Sequence, residues 1–279
     1  ANGLHFNTAP LSTLLVQHKT ADARNALIDL VELNKYMAPS LGAVGFDGLT
    51  LLRGWVEELP TDSPLRAELV SLDVLGATST NGSARNDIWF GNSATNSFSA
   101  GAGDDLLDAG DGIDYLYGGS GADFLRGGAG ADQLYGDDGA DVLDGGQGND
   151  YMVGGRGSDT YLFGRGDGQD LINTAGNSYA GTPDPTPNKF DMLEFKAGVL
   201  PTDVQLTRSG DNLVIKILGT TDQVTIQGYF YVDGASAAGY ALDRIHFSDG
   251  TSWDVAAIKQ MALAGATAGS DTLTGYATD

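Results

Sequence analysis

Aspartate returns at every ninth residue through the middle of the chain. Counting nine-residue units from residue 82, the sixth place reads Asp87, Asn96, Asp105, Asp114, Asp123, Asp132, Asp141, Asp150 and Asp159. The other donors these units offer are also oxygens, the backbone carbonyls laid bare at glycine turns. A hard, all-oxygen set suits Ca2+, which takes about six to eight oxygens in flexible geometry, whereas Mg2+ demands strict octahedra and keeps its waters. Residues 100–170 hold 15 Asp, no Glu and 3 Arg, a net charge of −12. Carboxylates packed this closely repel, so the spacing calls for a cation among them.

Other chemistries find little support. The chain has no cysteine, and His5, His18 and His246 lie far apart, so thiolate sites, disulfides and clustered zinc ligands are excluded. No G-x-S-x-G, H-E-x-x-H or phosphate-loop pattern occurs. No catalytic residue is therefore expected, and an enzymatic parent would carry its catalysis elsewhere. The net charge of −22 opposes binding to nucleic acid and to anionic membrane surfaces. No apolar run is long enough to span a bilayer.

The elements that position these aspartates follow from the rest of each unit. The first six residues carry the glycines and read as a turn, since glycine tolerates positive φ. The last three carry bulky residues and read as a very short strand. Strand side chains alternate faces, so the eighth place (Trp89, Phe98, Leu107, Leu116, Leu125, Leu134, Leu143, Met152 and Tyr161) points into a narrow interior. Two units complete a coil of 18 residues, and coils stack at about 4.8 Å. The predicted fold is mainly β: a parallel β-roll solenoid of nine-residue repeats with an N-terminal helical cap and a C-terminal β-rich capping region.

In such a roll, turns 18 residues apart stack, and each ion lies between two of them. The expected pairs are Asp87–Asp105, Asp105–Asp123, Asp123–Asp141 and Asp141–Asp159 on one edge, and Asp114–Asp132 and Asp132–Asp150 on the other. That implies about six Ca2+ ions. The turn glycines Gly103, Gly112, Gly119, Gly121, Gly128, Gly130, Gly139, Gly146, Gly148, Gly155 and Gly157 are expected to contribute carbonyls or allow their approach. Gly168 stands where the next unit would place its aspartate, with Asp167 and Asp170 as candidate substitutes. The units starting at 82 and 91 lack the glycine pair, so weaker sites are expected there. A core one leucine thick leaves much of the folding free energy to the metal.

The units "GGSGADFLR", "GGAGADQLY", "GGQGNDYMV" and "GGRGSDTYL" resemble the RTX, or haemolysin-type, calcium-binding repeat. The stretch from "LPTDVQLTRSGDNLVIKIL" through "ALDRIHFSDGTSWD" is similar to the haemolysin-type calcium-binding-protein-related domain. The resemblance implies a β-roll that folds on binding calcium. It also implies export through a type I secretion channel, and hence a secreted, extracellular or cell-surface location.

The flanks complete the expected organisation: a helical N-terminal flank over 1–78, the roll over 79–172, a β-rich cap over 173–262 and the start of a further repeat block over 263–279. Helices are predicted in "ADARNALIDLVELNKYM", "FDGLTLLRGWVEELP" and "SPLRAELVSLDVLG", the last with Ser63 as N-cap, Pro64 in the first turn and Gly76 as stop. Alternating strands are predicted in "KFDMLEF", "DVQLTRS", "NLVIKIL", "QVTIQGYF" and "RIHFSDGTSWD". The proline-rich loop over 181–189 holds an Asp184–Pro185 bond of the kind cleaved in self-processing relatives, and a plain surface loop is the favoured reading. The unit "ATAGSDTLT" near the C-terminus suggests a segment of a longer protein. An alternative reading is a surface-binding adhesin segment whose outward aromatics (Tyr115, Tyr117, Phe124, Tyr135 and Tyr151) meet a glycan or membrane target.

Overall fold

The structure, a computed structural model, describes residues 9–42, 47–174, 186–230 and 242–264. The Asp184–Pro185 bond and the unit at 266–274 lie outside these residues.

Four helices come first: α1 (Ala9–Ala21), α2 (Ala23–Gly42), α3 (Gly48–Glu58) and α4 (Pro64–Ser71). The side chain of Asp47 caps α3 by accepting from the Thr50 N–H at 2.9 Å. Ser63 caps α4 from the Leu65 N–H, and Pro64 occupies the first turn, as its sequence predicts. The last helix stops earlier than expected. Asp73 turns to φ 61°, and Val74–Gly76 is a strand, β1, rather than a helix end. The cause is tertiary: the Asp73 carbonyl accepts from the Ile88 N–H at 2.8 Å, and ladder pairing overrides the local helical pattern.

The roll comprises β2 (Ile88–Phe90), β3 (Ser97–Ala102), β4 (Leu106–Asp111), β5 (Tyr115–Ser120), β6 (Phe124–Gly130), β7 (Gln133–Asp138), β8 (Val142–Gly148), β9 (Tyr151–Arg156), β10 (Thr160–Phe163) and β11 (Gln169–Asn173). Alternate strands fall into two sheets. Within the repeats every pairing is parallel, and each residue faces the one 18 positions on, as in Leu107↔Leu125 and Leu116↔Leu134. Most strands are longer than the expected three residues, because the turn glycines stay in the ladder; Gly110 pairs with Gly128, for example. All nine eighth-place side chains are fully buried in one column. Each such leucine contributes about 1.5–3 kcal/mol on burial.

The cap continues this architecture. It contains β12 (Met192–Phe195), β13 (Val204–Ser209), β14 (Asn212–Ile217), β15 (Gln223–Ile226), β16 (Arg244–His246), β17 (Ser252–Asp254) and α5 (Val255–Ala264). The first sheet runs β1-β2-β4-β6-β8-β10-β12-β16-β17 and the second β13-β14-β15-β11-β9-β7-β5-β3. Parallel stacking persists through β12, β16 and β15; β17, β14 and β13 then pair antiparallel. Helix α5 has no counterpart in the sequence reading. Its Ile258 and Ala262 join the same core as Leu193, Phe247 and the repeat leucines.

The N-terminal helices cover the first coils of the roll. Their Leu30, Leu52 and Trp55 pack with Ile88, Phe90 and Leu106, which point outward from β2 and β4. The helices thus cover an apolar outer face of the first coils. Inside, Trp89 stacks on Phe98 at 4.7 Å and directs its Nε1–H at the Gly76 and Ser79 carbonyls, and Leu75 of β1 packs on the end of the column.

Candidate metal centre

The turns bring backbone against backbone. A Cβ on Gly130, at φ 150°, would lie 1.4 Å from the Gly112 carbonyl oxygen of the coil below. Gly119, at φ 108°, meets the Gly101 oxygen in the same way at 2.2 Å. Side-chain-free residues are what let carbonyls of successive turns crowd the edges of the roll.

Along each edge the sixth-place aspartates form a continuous ladder. Asp105 Oδ1 accepts from the Asp87 N–H at 2.7 Å, Asp123 from Asp105 at 2.8 Å, Asp141 from Asp123 at 2.8 Å and Asp159 from Asp141 at 3.1 Å. On the opposite edge Asp114 accepts from Asn96 at 2.6 Å, Asp132 from Asp114 at 2.8 Å and Asp150 from Asp132 at 2.8 Å. Residues of each expected pair are therefore stacked directly on one another.

In six of these carboxylates one oxygen is thereby fixed and the other is left over. Oδ2 of Asp105, Asp114, Asp123, Asp132, Asp141 and Asp150 is buried with no hydrogen-bond partner. A carboxylate oxygen stranded this way is costly unless a cation meets it. The protein's own cations go elsewhere. Arg53 Nε holds the outer Asp108 at 2.8 Å, Lys196 pairs with Asp144, and Arg156 reaches Asp138 at 3.6 Å. Among the described residues no basic side chain forms an ion pair with those six ladder aspartates.

Their titration reflects the same strain. Burial, the largest cause, pushes the Asp105 and Asp132 carboxyls up to about 6, Asp123 and Asp150 to about 7, and Asp141 to about 8. Hydrogen bonds from the ladder N–H groups oppose the shift, and neighbouring aspartates add to it. A divalent cation among these oxygens would reverse the balance. No group of three or more metal-binding side chains converges among the described residues. An ion in the ladder would therefore take few carboxylates and complete its shell from carbonyls, which suits Ca2+.

The two ends depart from the regular pattern. Asp87 Oδ2 accepts from the Ser83 N–H of its own turn at 2.7 Å, and Asn96 Oδ1 accepts from the Asn92 N–H at 2.8 Å. These two turns satisfy their sixth-place oxygens internally. At the exit, Asp170 takes the ladder place: its Oδ1 accepts from the Asp150 N–H at 3.0 Å, and its Oδ2 is buried and unpartnered. Its carboxyl is pushed up to about 8, again chiefly by burial. Asp167 turns away, accepting from the Gly164 N–H at 2.7 Å and pairing with Lys196 at 2.9 Å.

The ladder also outlasts the repeats. Asp191 Oδ1 accepts from the Asp159 N–H at 3.1 Å, and Asp243 Oδ2 from the Asp191 N–H at 2.8 Å. Neither residue is on the nine-residue lattice, so sequence reasoning missed both. A signal did exist. "DML" at 191–193 and "DRI" at 243–245 keep the aspartate–x–apolar triplet of the repeats without its glycine turn. The outward aromatics separate as well. Tyr117 and Tyr135 stack at 5.1 Å, with Tyr151 edge-on to Tyr135, on the second sheet. Phe124 lies on the first sheet against the helices.

A ladder of buried carboxylates on glycine turns, at the edges of a parallel roll, defines a calcium-binding repeat protein. Residues 81–170 match the RTX calcium-binding nonapeptide repeat in overlapping four-copy windows, and residues 212–257 match the haemolysin-type calcium binding protein related domain. Residues 81–170 therefore carry the RTX calcium-binding repeat pattern. The iron-regulated protein FrpA of Neisseria meningitidis serogroup C is 41% identical over 86 residues, which cover 31% of this chain and 7% of FrpA. Among solved structures, the AlgE6R3 subunit of the Azotobacter vinelandii mannuronan C5-epimerase is 28% identical, with 62% of this chain and 94% of that one covered and a TM-score of 0.32. The extracellular lipase LipA of Serratia marcescens is 16% identical, with 60% and 40% covered and a TM-score of 0.23. The RTX repeats of this chain are a calcium-binding module.

Proposed function

We infer that the chain is a calcium-triggered folding module of a larger secreted protein, a toxin or adhesin, without catalysis of its own. Calcium bound outside the cell would drive folding of the roll and support export through a type I secretion channel. Inside a cell, where calcium is scarce, the aspartate ladder would repel itself and keep the segment unfolded. Six pairs of stacked turns within the repeats suggest about six ions, and the Asp150–Asp170 step adds a further candidate. The observation that carries this reading is the row of buried, unpartnered Oδ2 atoms from Asp105 to Asp150. Circular dichroism in chelator and then in millimolar calcium tests it. The expected result is loss of the roll's β signal without calcium, its return with calcium, and poor rescue by magnesium. An unchanged β signal in chelator would refute it.

The Tyr117–Tyr135–Tyr151 stack favours a second reading, a glycan-binding face on the parent. A glycan array with the calcium-loaded protein separates the two; absence of any hit leaves the folding role alone.

A further inference from the structure

The ladder on the Asp87–Asp159 edge continues into the cap through Asp191, yet Asp191 differs from the aspartates before it in one respect. Its Oδ1 accepts from the Asp159 N–H at 3.1 Å, as each ladder aspartate does from the coil below. Its side chain is fully buried, like theirs. Its Oδ2 accepts no well-aligned hydrogen bond, like those of Asp105, Asp123 and Asp141, but unlike theirs it is ion-paired. Lys189 Nζ lies 3.0 Å from Asp191 Oδ2 and donates to the Thr174 carbonyl at 2.7 Å. The lysine side chain is only 7% exposed. One positive charge thus bridges a ladder carboxylate and a backbone carbonyl, the two donor types a calcium ion would use. Asp243, the next member of the ladder, lies in the field of the same ammonium.

We propose that Lys189 is a tethered cation standing in the ladder in place of a calcium ion, so that the cap from Asp191 onward is held together without metal. This rests on the calcium ladder inferred above. On this edge the last exchangeable ion would then lie between Asp141 and Asp159. At the last step of the opposite edge, Asp170 Oδ2 has neither a hydrogen-bond partner nor an ion pair among the described residues. Basic side chains also meet the edge below Asp87, although the Asp73 N–H donates to the Val70 carbonyl and not to the Asp87 carboxylate. Asp73 offers its carbonyl to the Ile88 N–H at 2.8 Å, as Asp87 does to the Leu106 N–H at 2.9 Å. The Asp73 carboxylate is met by Lys35 of α2 at 3.4 Å and by Arg85. The acidic column is therefore bracketed by basic side chains.

The consequence is a division of labour. A bound ion stabilises only in proportion to its concentration over its dissociation constant, whereas a cation fixed to the chain is present at any calcium level. The cap can then form first and offer β10 and β11 a template, with the repeats following as calcium rises.

The test uses the full chain, with bound calcium counted by metal analysis after equilibrium dialysis and backbone protection read by hydrogen–deuterium exchange. In chelator, peptides spanning 192–195 and 244–254 of the wild type should stay protected while those over 115–138 exchange freely. Lys189→Met should lose the cap protection in chelator. In saturating calcium it should regain that protection and bind one more ion per chain than wild type. Lys189→Arg, which keeps the charge, should retain the wild-type count. The proposal is overturned if the wild-type cap is unprotected in chelator, if Lys189→Met binds the wild-type number of ions, or if it stays unprotected in saturating calcium. A wild-type chain that binds no calcium at all would instead refute the ladder itself.

Discussion

Replacing Gly130 by alanine should separate two coils. The added Cβ would sit 1.4 Å from the Gly112 oxygen, where an ordinary contact needs about 3.5 Å. The turn must move by about 2 Å, and two hydrogen bonds lie in its path. These are Gly112 N–H to the Ala129 carbonyl and Asp114 N–H to Asp132 Oδ1, both 2.8 Å. Each broken buried bond costs about 1–3 kcal/mol, and the left-handed backbone adds about 1 kcal/mol. The total is about 3–7 kcal/mol. If about six ions bind as the chain folds, the penalty is shared among them, and the calcium midpoint of folding rises about two- to sevenfold. Gly210→Ala is the control. It also has positive φ, 61°, but its Cβ meets nothing within 4 Å, so about 1–2 kcal/mol and a shift below about twofold are expected. Calcium titration followed by far-ultraviolet circular dichroism measures both. Equal shifts for the two variants would refute the argument that stacked carbonyls require glycine here.

The metal-free chain should gain structure as pH falls. Asp123, near 7, and Asp141 and Asp170, near 8, are raised by burial, so the metal-free fold binds protons that the unfolded chain has released. Stability of that metal-free fold is present below about pH 4 and is lost as pH climbs toward about 8; in chelator the circular-dichroism β signal should therefore be larger at about pH 4 than at about pH 8, and an equal signal at the two values would contradict it. Asp123→Ala should raise the calcium midpoint more than Asp87→Ala. Asp123 holds the Asp105 N–H and leaves an oxygen unpartnered, whereas the Ser83 N–H already satisfies Asp87 Oδ2; equal midpoints for the two variants would count against the ladder.

The nine-residue lattice was fully legible because each unit repeats both its turn and its inward side chain, and the structure keeps them in register at 18 residues. The post-repeat strands were legible from alternation. What escaped the sequence were features set by pairing rather than by local pattern. Val74–Gly76 reads as the tail of a helix and becomes a strand only because β2 offers it an edge. Asp191 and Asp243 reach the ladder through chain separations of 32 and 52 residues, which no fixed period reveals. The helices cover the first coils as expected, but that they do so through the outward Ile88, Phe90 and Leu106 was not legible. Asp167 and Asp170, equivalent on paper, were separated by Lys196, which claims the first.

The reversal of strand direction at the far end of both sheets bears on self-assembly. A parallel coil is a template for another like it, so a roll left bare would invite a second molecule to dock head to tail and grow into a filament. Here the outermost described strands, β13 and β17, run against their neighbours. After two reversals β13 runs with the roll again while β17 runs against it, so a coil from another chain could meet only one of the two edges in the parallel register its turns demand. Polymer growth from that face is blocked by geometry, even when calcium has neutralised the charge that would otherwise keep molecules apart.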